Sequence, residues 1–394
     1  MQTITLMQIP GEPQFSLFDL LILIGITQGV VMSILLFRSK NNKRSNPFLA
    51  TALLAFCWVN TKILLLTLDL WDTAFFRYFP NGADVVIAPL IYFYFTSLVD
   101  ATFRFSRKHI LHFIPFIVLQ AYLCIIYFSL IGTSDFAEKD RIANSFYFNF
   151  AKDVENYAAL ISIAVYLYLS LRKLKIYKEW MNNVTSDSTF PDFKWLRHLV
   201  SLSIIIGAFL FFNYSADLLF GLKESTDLHW STFSLFASFS VYYLGVVGYQ
   251  QPNYELGVQE DISVVSFQEK KETIKTVLPS QKSMEIEQAI RHALEEDKVF
   301  LNPTLNIQEL SRKLTLSQQE VSQVINANFH KKFRDLINEY RVEEVKKKLH
   351  SEDMAYMSIL GIALECGFNS EATFYRIFKK NTGLSPKEYR LQSK

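Results

Sequence analysis

The sequence predicts an all-α protein in two parts, a domain of seven transmembrane helices at residues 1–249 and a smaller helical domain that follows it. Half of the 394 residues are hydrophobic and only 20% are charged, a composition that excludes a disordered chain. The charges are unevenly placed, with 36 in residues 1–249 and 42 in the shorter stretch 250–394. The first part is therefore predicted to lie in lipid and the second in water.

Seven apolar segments have about the length needed to cross a bilayer, which takes roughly 20 residues at about 1.5 Å per residue. They run approximately over Leu17–Phe37, Pro47–Leu68, Ala83–Val99, Ile110–Ile131, Val154–Leu171, Trp195–Phe220 and His229–Tyr249. The third and fifth are the shortest. No basic region precedes the first segment and no small-residue cleavage site follows it, so we expect it to remain as an anchor.

Positive charges alternate between the loops that join these segments. The first, third and fifth loops carry 12 Lys and Arg, whereas the second, fourth and sixth carry 5. Positively charged loops are retained on the cytoplasmic side of a membrane. We therefore expect the N-terminus outside and everything after Tyr249 in the cytoplasm.

Three polar residues within the spans form a candidate ligand pocket: Lys62, Asn213 and Asp217. Ionisable groups at membrane depth are costly, so they are candidates for function. With the orientation above, all three lie in the outward half of their helices. The simpler alternative is that Lys62 extends its stem to the outer interface, about 10 Å away, and has no ligand.

The sequence offers no recognisable catalytic or metal-binding motif. Its three cysteines, Cys57, Cys124 and Cys366, are far apart, and the seven histidines show no paired metal-ligand spacing. We therefore expect no enzymatic activity, no cofactor and no metal site.

Residues 250–282 predict a cytoplasmic linker, because the apolar periodicity stops and Pro252, Gly257 and Pro279 appear with many charges. If flexible, this stretch would reach about 30 Å. An amphipathic helix over Ser283–Lys298 then begins the second domain, residues 283–394.

Residues 304–328 predict two helices separated by a tight turn. Asn306 with Glu309 can cap the first helix, and Ser317 with Glu320 forms a capping box for the second. The second helix then leaves an uncharged polar face outward: Gln318, Gln319, Ser322 and Gln323. Amides and a hydroxyl suit base edges in a major groove, although a solvated face would have the same composition.

Residues 358–381 predict a second pair of helices, after a long basic helix over about Lys331–Leu349 that packs on both pairs. Gly367 supplies the turn, Phe368 fills the core, and Asn369 or Ser370 caps the second helix. The exposed N-terminal part of that helix carries Glu371, Ala372, Thr373 and Arg376, and two lysines follow at Lys379 and Lys380.

This last stretch resembles the C-terminal signature of the AraC/XylS family of bacterial transcription regulators. The matching positions are Ile362-Ala363, Cys366-Gly367-Phe368, Phe374, Arg376, Phe378-Lys379-Lys380, Gly383, Ser385-Pro386 and Tyr389-Arg390. The resemblance covers about residues 298–392. Three places depart from the family pattern: Ser311 and Val345 replace a common alanine, and Asn328-Phe329-His330 stands where a glycine-containing turn is usual.

The resemblance implies two helix-turn-helix units joined by a long helix, each placing a recognition helix in successive major grooves on one face of DNA. The first recognition helix would present Gln319, Ser322 and Gln323. The second would present Glu371, Ala372, Thr373, Arg376, Lys379 and Lys380. Arginine can bind guanine or phosphate, glutamate can accept from cytosine, and alanine can contact a thymine methyl.

Together these features predict a membrane-bound, sequence-specific DNA-binding transcription regulator in the inner membrane of a bacterium, coupling an external or membrane signal to gene expression. The expected partners are double-stranded DNA, the lipid bilayer and an unknown small-molecule or membrane signal. A second copy of the chain is a candidate partner, because pairing would raise the effective concentration of the DNA-binding domains. The alternative is a transporter or membrane receptor whose helix-turn-helix domain makes regulatory protein contacts.

Overall fold

The computed structural model describes residues 15–71, 73–100, 103–184, 193–222, 228–251, 279–351, 354 and 356–392. Every regular element in these residues is a helix, which confirms the predicted all-α class. The chain separates into two compact units, one of Met1–Lys173 with Phe193–Gln268 and one of Leu174–Asp192 with Glu269–Lys394.

The first unit contains eight described helices. They are α1 (Leu17–Arg38), α2 (Asn46–Thr67), α3 (Asp84–Val99), α4 (Ile114–Leu130), α5 (Phe136–Ser145), α6 (Phe148–Val184), α7 (Phe193–Phe220) and α8 (Leu228–Tyr249). A 3₁₀ helix over Arg107–Phe113 leads directly into α4.

Six of these helices are long and apolar enough to cross a membrane, namely α1, α2, α4 with the preceding 3₁₀ helix, α6, α7 and α8. The third predicted segment forms α3, which has 16 residues and a length of about 24 Å. That is less than the hydrocarbon thickness of about 30 Å. Its length, and not its composition, separates α3 from the other six.

The fifth predicted segment lies within a longer helix, because α6 begins at Phe148 and continues to Val184. The apolar pattern starts only at Val154, since charged residues interrupt it before that point. In the structure Glu155 is fully buried and forms an ion pair with Lys152, one helical turn earlier. The pair neutralises both charges, so the helix runs through them. The short amphipathic helix α5 is a further element that the apolar pattern does not indicate.

Helices α1, α2 and α8 pack closely where glycines remove the side chain. A Cβ atom at Gly25 would lie 2.5 Å from the Cβ of Ser238, and one at Gly29 would lie 2.3 Å from Cys57 Sγ. Helix α6 approaches its neighbours less closely than these three helices approach one another. This difference in spacing leaves room for a cavity beside α6.

The second unit contains seven described helices besides the end of α6. They are α9 (Ser280–Glu295), α10 (Ile307–Leu314), α11 (Gln318–Asn328), α12 (Phe333–His350), α13 (Ile359–Glu365), α14 (Glu371–Thr382) and α15 (Pro386–Gln392).

Two apolar cores lie in this unit, and α12 contributes to both. Its first half places Phe333, Leu336 and Ile337 in the core of α9, α10 and α11. Its second half places Val342 and Val345 in the core of α13 and α14. The predicted role of the long helix as a spacer that packs on both pairs is therefore confirmed.

The predicted linker, residues 250–282, lies mostly outside the described residues, which stop at 251 and resume at 279. Helix α9 begins at Ser280 and so includes the last residues of the predicted linker. Its first turn is polar and adds nothing to the apolar periodicity, which explains the late predicted start at Ser283. Pro279 occupies the N-cap position of α9.

Candidate nucleic-acid interface and helix-bundle cavity

The first pair of helices, α10 and α11, has both predicted caps. Asn306 Oδ1 accepts a hydrogen bond from the amide of Glu309 at 2.9 Å. Ser317 Oγ accepts from the amide of Glu320 at 3.2 Å, and Glu320 Oε2 accepts from the amide of Ser317 at 3.0 Å. The turn between the helices passes through Thr315, which has a left-handed backbone with φ of 56°.

Helix α9 holds both ends of α11. Lys282 forms an ion pair with Glu320 at 2.6 Å, and hydrogen bonds from Lys282 and Ser317 lower the pKa of Glu320 to about 2. At the other end, Asn328 Nδ2 donates to Glu287 Oε2 at 2.8 Å, and Ser283 Oγ donates to Asn328 Oδ1 at 3.2 Å. Asn328 is one of the departures from the family pattern, and these bonds give it a structural role.

The predicted first recognition surface lies on one face of α11, because positions 319, 322 and 323 have helical spacing. Gln319 is exposed, whereas Ser322 and Gln323 are half-buried. Asn326, one turn further along, donates a hydrogen bond to Ser322 Oγ at 3.4 Å. The opposite face is held in the core by Val321 and two further apolar residues.

The second pair of helices, α13 and α14, is built around a glycine turn. Gly367 has φ of 88°, and a Cβ atom there would lie 2.5 Å from the carbonyl oxygen of Phe300. Ser358 Oγ caps α13 by accepting from the amide of Gly361 at 3.0 Å. Of the two predicted cap residues of α14, Asn369 and Ser370, the structure places Ser370 at the N-cap, but its side chain makes no capping hydrogen bond.

The predicted second recognition surface is more exposed and more charged than the first. Glu371, Ala372, Arg376, Lys379 and Lys380 are exposed, and Thr373 is half-buried. Lys380 lies 3.6 Å from a carboxylate oxygen of Asp335 on α12. The other face of α14 is buried through Phe374, Ile377 and Phe378.

Arg341 joins the two helix-turn-helix units, a role that the sequence does not reveal. Its side chain is 2% exposed. Its Nε donates to the carbonyl oxygen of Phe300 at 2.8 Å, and its Nη2 donates to that of Asn302 at 2.7 Å. The guanidinium also lies 6.0 Å from the ring centre of Phe368. The available signal is its position four residues after Ile337 and four before Val345, on the apolar stripe of α12.

Ser311, another departure from the family pattern, is buried in the first unit. It is 3% exposed, and its hydroxyl oxygen has no hydrogen-bond partner among the described residues. Ala363 stands at the corresponding place in the second unit, four residues before the turn residue, and is fully buried. The serine therefore brings a polar atom into a position that packs as an alanine.

A cavity of about 820 Å³ lies in the first unit, lined by residues of α2, α3, α6, α7 and α8. Lys62 and Asp217, two of the three predicted pocket residues, line it. Asp217 accepts hydrogen bonds from His229 Nε2 at 2.8 Å and from Trp230 Nε1 at 2.9 Å. Asn213 does not line the cavity. It is fully buried, and its Nδ2 donates to the carbonyl oxygen of His229 at 3.3 Å.

Sequence reasoning missed several other polar residues of this cavity. They include Lys152, Asp153, Asn156, Tyr157, Tyr214 and Trp230. The i,i+3 spacing of Lys152 and Glu155 is a signal of their ion pair, but the other members come from separate helices and share no local pattern. Among the described residues, no group of three or more His, Cys, Asp or Glu side chains could hold a metal ion.

Comparison with known proteins matches residues 310–392 to the family described as Helix-turn-helix domain. The probable transcription factor PqrA of Proteus vulgaris is 32% identical over 95 residues, which are 24% of this chain and 75% of PqrA. Uncharacterized HTH-type transcriptional regulators of Staphylococcus aureus are 32% identical over 93 residues, 24% of this chain but only 12% of their own length. No solved structure matches.

The family match at residues 310–392 begins within α10 and extends through α15, and it includes the signature around Gly367 and Phe368. PqrA is covered over three quarters of its length, so the likeness extends across most of a relative and not only one motif. The chain therefore belongs to the AraC/XylS family of transcription regulators, with a C-terminal double helix-turn-helix unit that follows a bundle of apolar helices.

Proposed function

We propose that this protein is a membrane-bound transcription regulator whose helix bundle responds to an external or membrane signal and whose C-terminal units bind specific DNA. The observation that carries the proposal is that one chain combines an AraC-type unit with a bundle that has six helices long enough to span a membrane and a cavity within it. In this proposal residues 1–249 sense the signal, residues 250–282 connect, and residues 283–394 bind DNA.

The two recognition helices would read DNA by different contacts. Gln319 and Gln323 on α11 carry amides, which can pair with adenine, and Ser322 lies between them. On α14, Arg376 suits guanine or phosphate and Glu371 suits the cytosine amino group. The two lysines that follow, Lys379 and Lys380, would neutralise phosphates, while Ala372 and Thr373 would contact thymine methyl groups.

The orientation that we propose puts the N-terminus outside and the DNA-binding unit in the cytoplasm, and it requires the shorter helix α3 to cross the membrane as a seventh span. The alternating Lys and Arg content of the loops supports it. The length of α6 is consistent with it, because 37 residues extend about 55 Å, nearly twice the hydrocarbon thickness. The basic segment from Arg172 to Lys178 at the far end of α6 would then lie on the cytoplasmic side.

Signalling requires that a ligand binds two states of the protein with different affinity. The wide spacing around α6 allows a rearrangement of that helix, and α9 connects the linker to both ends of α11. We propose that a change in the bundle reaches DNA through α9, and that two copies of the chain pair on paired sites.

The proposal is tested by selecting DNA from a random pool with the full-length protein in nanodiscs. We expect one enriched motif for the wild-type protein, and loss of preference at one base with about tenfold weaker binding for Arg376→Ala. Lys387→Ala, which removes an exposed positive charge on α15, is the matched control and should keep the motif. No enriched motif with the folded wild-type protein would contradict the proposal and favour a role in protein contacts.

A further inference from the structure

The polar end of the cavity lies where one set of helix ends meets. The C-terminal ends of α2 and α7, within their last two turns, contribute Lys62 and Asp217, and the first two turns of α3 and α6 contribute Asp84 and Lys152. Trp230 comes from the start of α8. In the orientation proposed above, these ends face the outside. A molecule from the outside or from the outer leaflet would therefore meet this end of the cavity first.

The remaining wall is long and mostly apolar. Lining residues on α6 extend from Asn149 to Ser170, which corresponds to about 30 Å along the helix axis. Away from the polar end, aliphatic and aromatic side chains dominate, among them Ile163, Ile206 and Phe233. The volume of about 820 Å³ falls within the range of about 300–1,000 Å³ that is usual for small-molecule sites. A polar mouth with a long apolar wall fits a molecule with a head and a hydrocarbon tail.

Among the described residues, the charge at the polar end is negative in excess. Three carboxylates line the cavity there, Asp84, Asp153 and Asp217, against the two ammonium groups of Lys62 and Lys152. Glu155 does not line the cavity and pairs with Lys152. Asp84 is half-buried and Asp153 is exposed at the mouth of the cavity. Their uncompensated negative charge would attract a cationic ligand to this end.

The positive groups already present are engaged within the protein. Lys152 pairs with Glu155 and also donates to the carbonyl oxygen of Asn81 at 3.1 Å, and Lys62 is not free either. By contrast, Asp84 and Asp153 have no hydrogen-bond or ion-pair partner among the described residues. These two carboxylates are therefore available to a ligand.

Aromatic rings lie beside these carboxylates. Tyr157, Tyr214 and Trp230 line the same end, and the rings of Tyr214 and Trp230 are 5.1 Å apart in an edge-to-face arrangement. Tyr214 is held in place because its hydroxyl donates to Asn156 Oδ1 at 3.0 Å. Aromatic faces next to carboxylates are the surroundings that ammonium groups prefer.

We propose that the cavity binds an amphiphile with a cationic amine headgroup, its ammonium between Asp84, Asp153 and the aromatic rings and its hydrocarbon chain along α6. The inference rests on the proposed function in naming the class of signal that the bundle detects. The shared chemistry, an amine on an apolar chain, is that of an aminolipid of the bilayer and of a free long-chain amine.

The test is binding by the full-length protein in an uncharged maltoside detergent, followed by tryptophan fluorescence because Trp71 and Trp230 line the cavity. The probes are dodecylamine, dodecanoate and dodecanol, which share one chain length and differ in head charge. We expect saturable binding of dodecylamine at least about tenfold tighter than of the other two, which corresponds to about 1.4 kcal/mol. Equal or tighter binding of dodecanoate to the unmodified protein would overturn the proposal.

Substitutions of the two carboxylates test where the headgroup binds. Asp84→Asn combined with Asp153→Asn should remove the preference for the amine, whereas Asp84→Glu should retain it. The matched control is Glu138→Gln on α5, a half-buried carboxylate that pairs with Arg141 and does not line the cavity. An unchanged preference in the double variant would contradict this placement of the headgroup.

Mass spectrometry of lipids that remain bound after purification separates the two sources. A bound aminolipid would identify the bilayer as the source, and amine binding without any bound lipid would indicate a diffusible ligand. A bound anionic lipid would overturn the proposal. Binding is measured without DNA, so its failure leaves the DNA-binding part of the proposed function intact, and failure of DNA binding leaves the amine preference interpretable.

Discussion

The two helix-turn-helix units hold their recognition helices in different ways. Helix α11 has a side-chain capping box, contacts from α9 at both ends, and an uncharged outer face. Helix α14 has an N-cap residue, Ser370, whose side chain makes no capping bond. It follows a closely packed glycine turn and has an outer face with Arg376 and two lysines. The first unit is thus braced by the helix that follows the linker, and the second carries most of the charge. We expect the first to receive the signal and the second to supply more of the electrostatic affinity.

The largest effect on stability should come from the glycine in the turn of the second unit. Gly367→Ala places a Cβ atom 2.5 Å from a backbone carbonyl at a positive φ, and we expect it to destabilise the second unit by about 3 kcal/mol. Gly383→Ala is the matched control, because Gly383 also has a positive φ but no atom within 4 Å of the added Cβ. It should cost about 1 kcal/mol.

The measurement is hydrogen exchange of the full-length protein, which reports α13 and α14 separately from α10 and α11. Equal effects of the two alanine substitutions would show that packing against Phe300 contributes nothing to the second unit.

The two recognition helices should also differ in how strongly their DNA contacts depend on salt concentration. Lys379→Ala and Lys380→Ala should each lower the slope of log affinity against log salt by about 1, because each lysine would neutralise one phosphate. Gln323→Ala should weaken binding by about 1–3 kcal/mol with no change in that slope, since an amide releases no counterion. The slopes are obtained from DNA-binding titrations at several salt concentrations. An equal decrease of the slope in Gln323→Ala would contradict the assignment of the phosphate contacts to the lysines of the second unit.

The N-cap residues of α11 and α14 should also differ in what they contribute to stability, but by a smaller amount. Ser317→Ala removes the oxygen that accepts from the amide of Glu320, and we expect a loss of about 1 kcal/mol in the stability of the first unit. Ser370→Ala should change the second unit by much less, because Ser370 makes no capping bond. Local exchange rates at the starts of α11 and α14 provide the comparison, and a larger effect at Ser370 would be the contrary result.

Local chemistry explains why so much of the C-terminal part could be predicted. The caps at Asn306 and Ser317 involve residues three positions apart, so their bonds follow from sequence spacing. The apolar faces of α11 and α14 follow from helical periodicity in the same way. The structure confirms these predictions because each residue and its partner are close in sequence, within about one turn of helix.

The remaining features depend on partners that are distant in sequence. Nothing near Arg341 shows that it bonds the carbonyl oxygens of Phe300 and Asn302, about 40 positions away. Likewise, Asn213 is polar and within a span, but its contact to α8 removes it from the cavity that Lys62 and Asp217 line. Such residues are assigned only when the packing of separate helices is known.

The smallest expected effect is a gain in the stability of the first unit. Ser311→Ala should stabilise the first unit by about 0.5–1 kcal/mol, because it removes a buried hydroxyl without a partner from a position where the second unit has Ala363. The change is measured as a shift in the unfolding midpoint of the first unit. A loss of stability would mean that the hydroxyl has a partner that forms in solution.

The most direct test of a membrane-bound regulator is genome-wide crosslinking and DNA pull-down with the full-length protein in its membrane, comparing the wild type with a Gln323→Ala, Arg376→Ala double variant. The proposed function predicts discrete genomic sites that are recovered with the membrane fraction and lost in the double variant. Absence of such sites for a correctly inserted wild-type protein, or sites that the double variant retains, would contradict it.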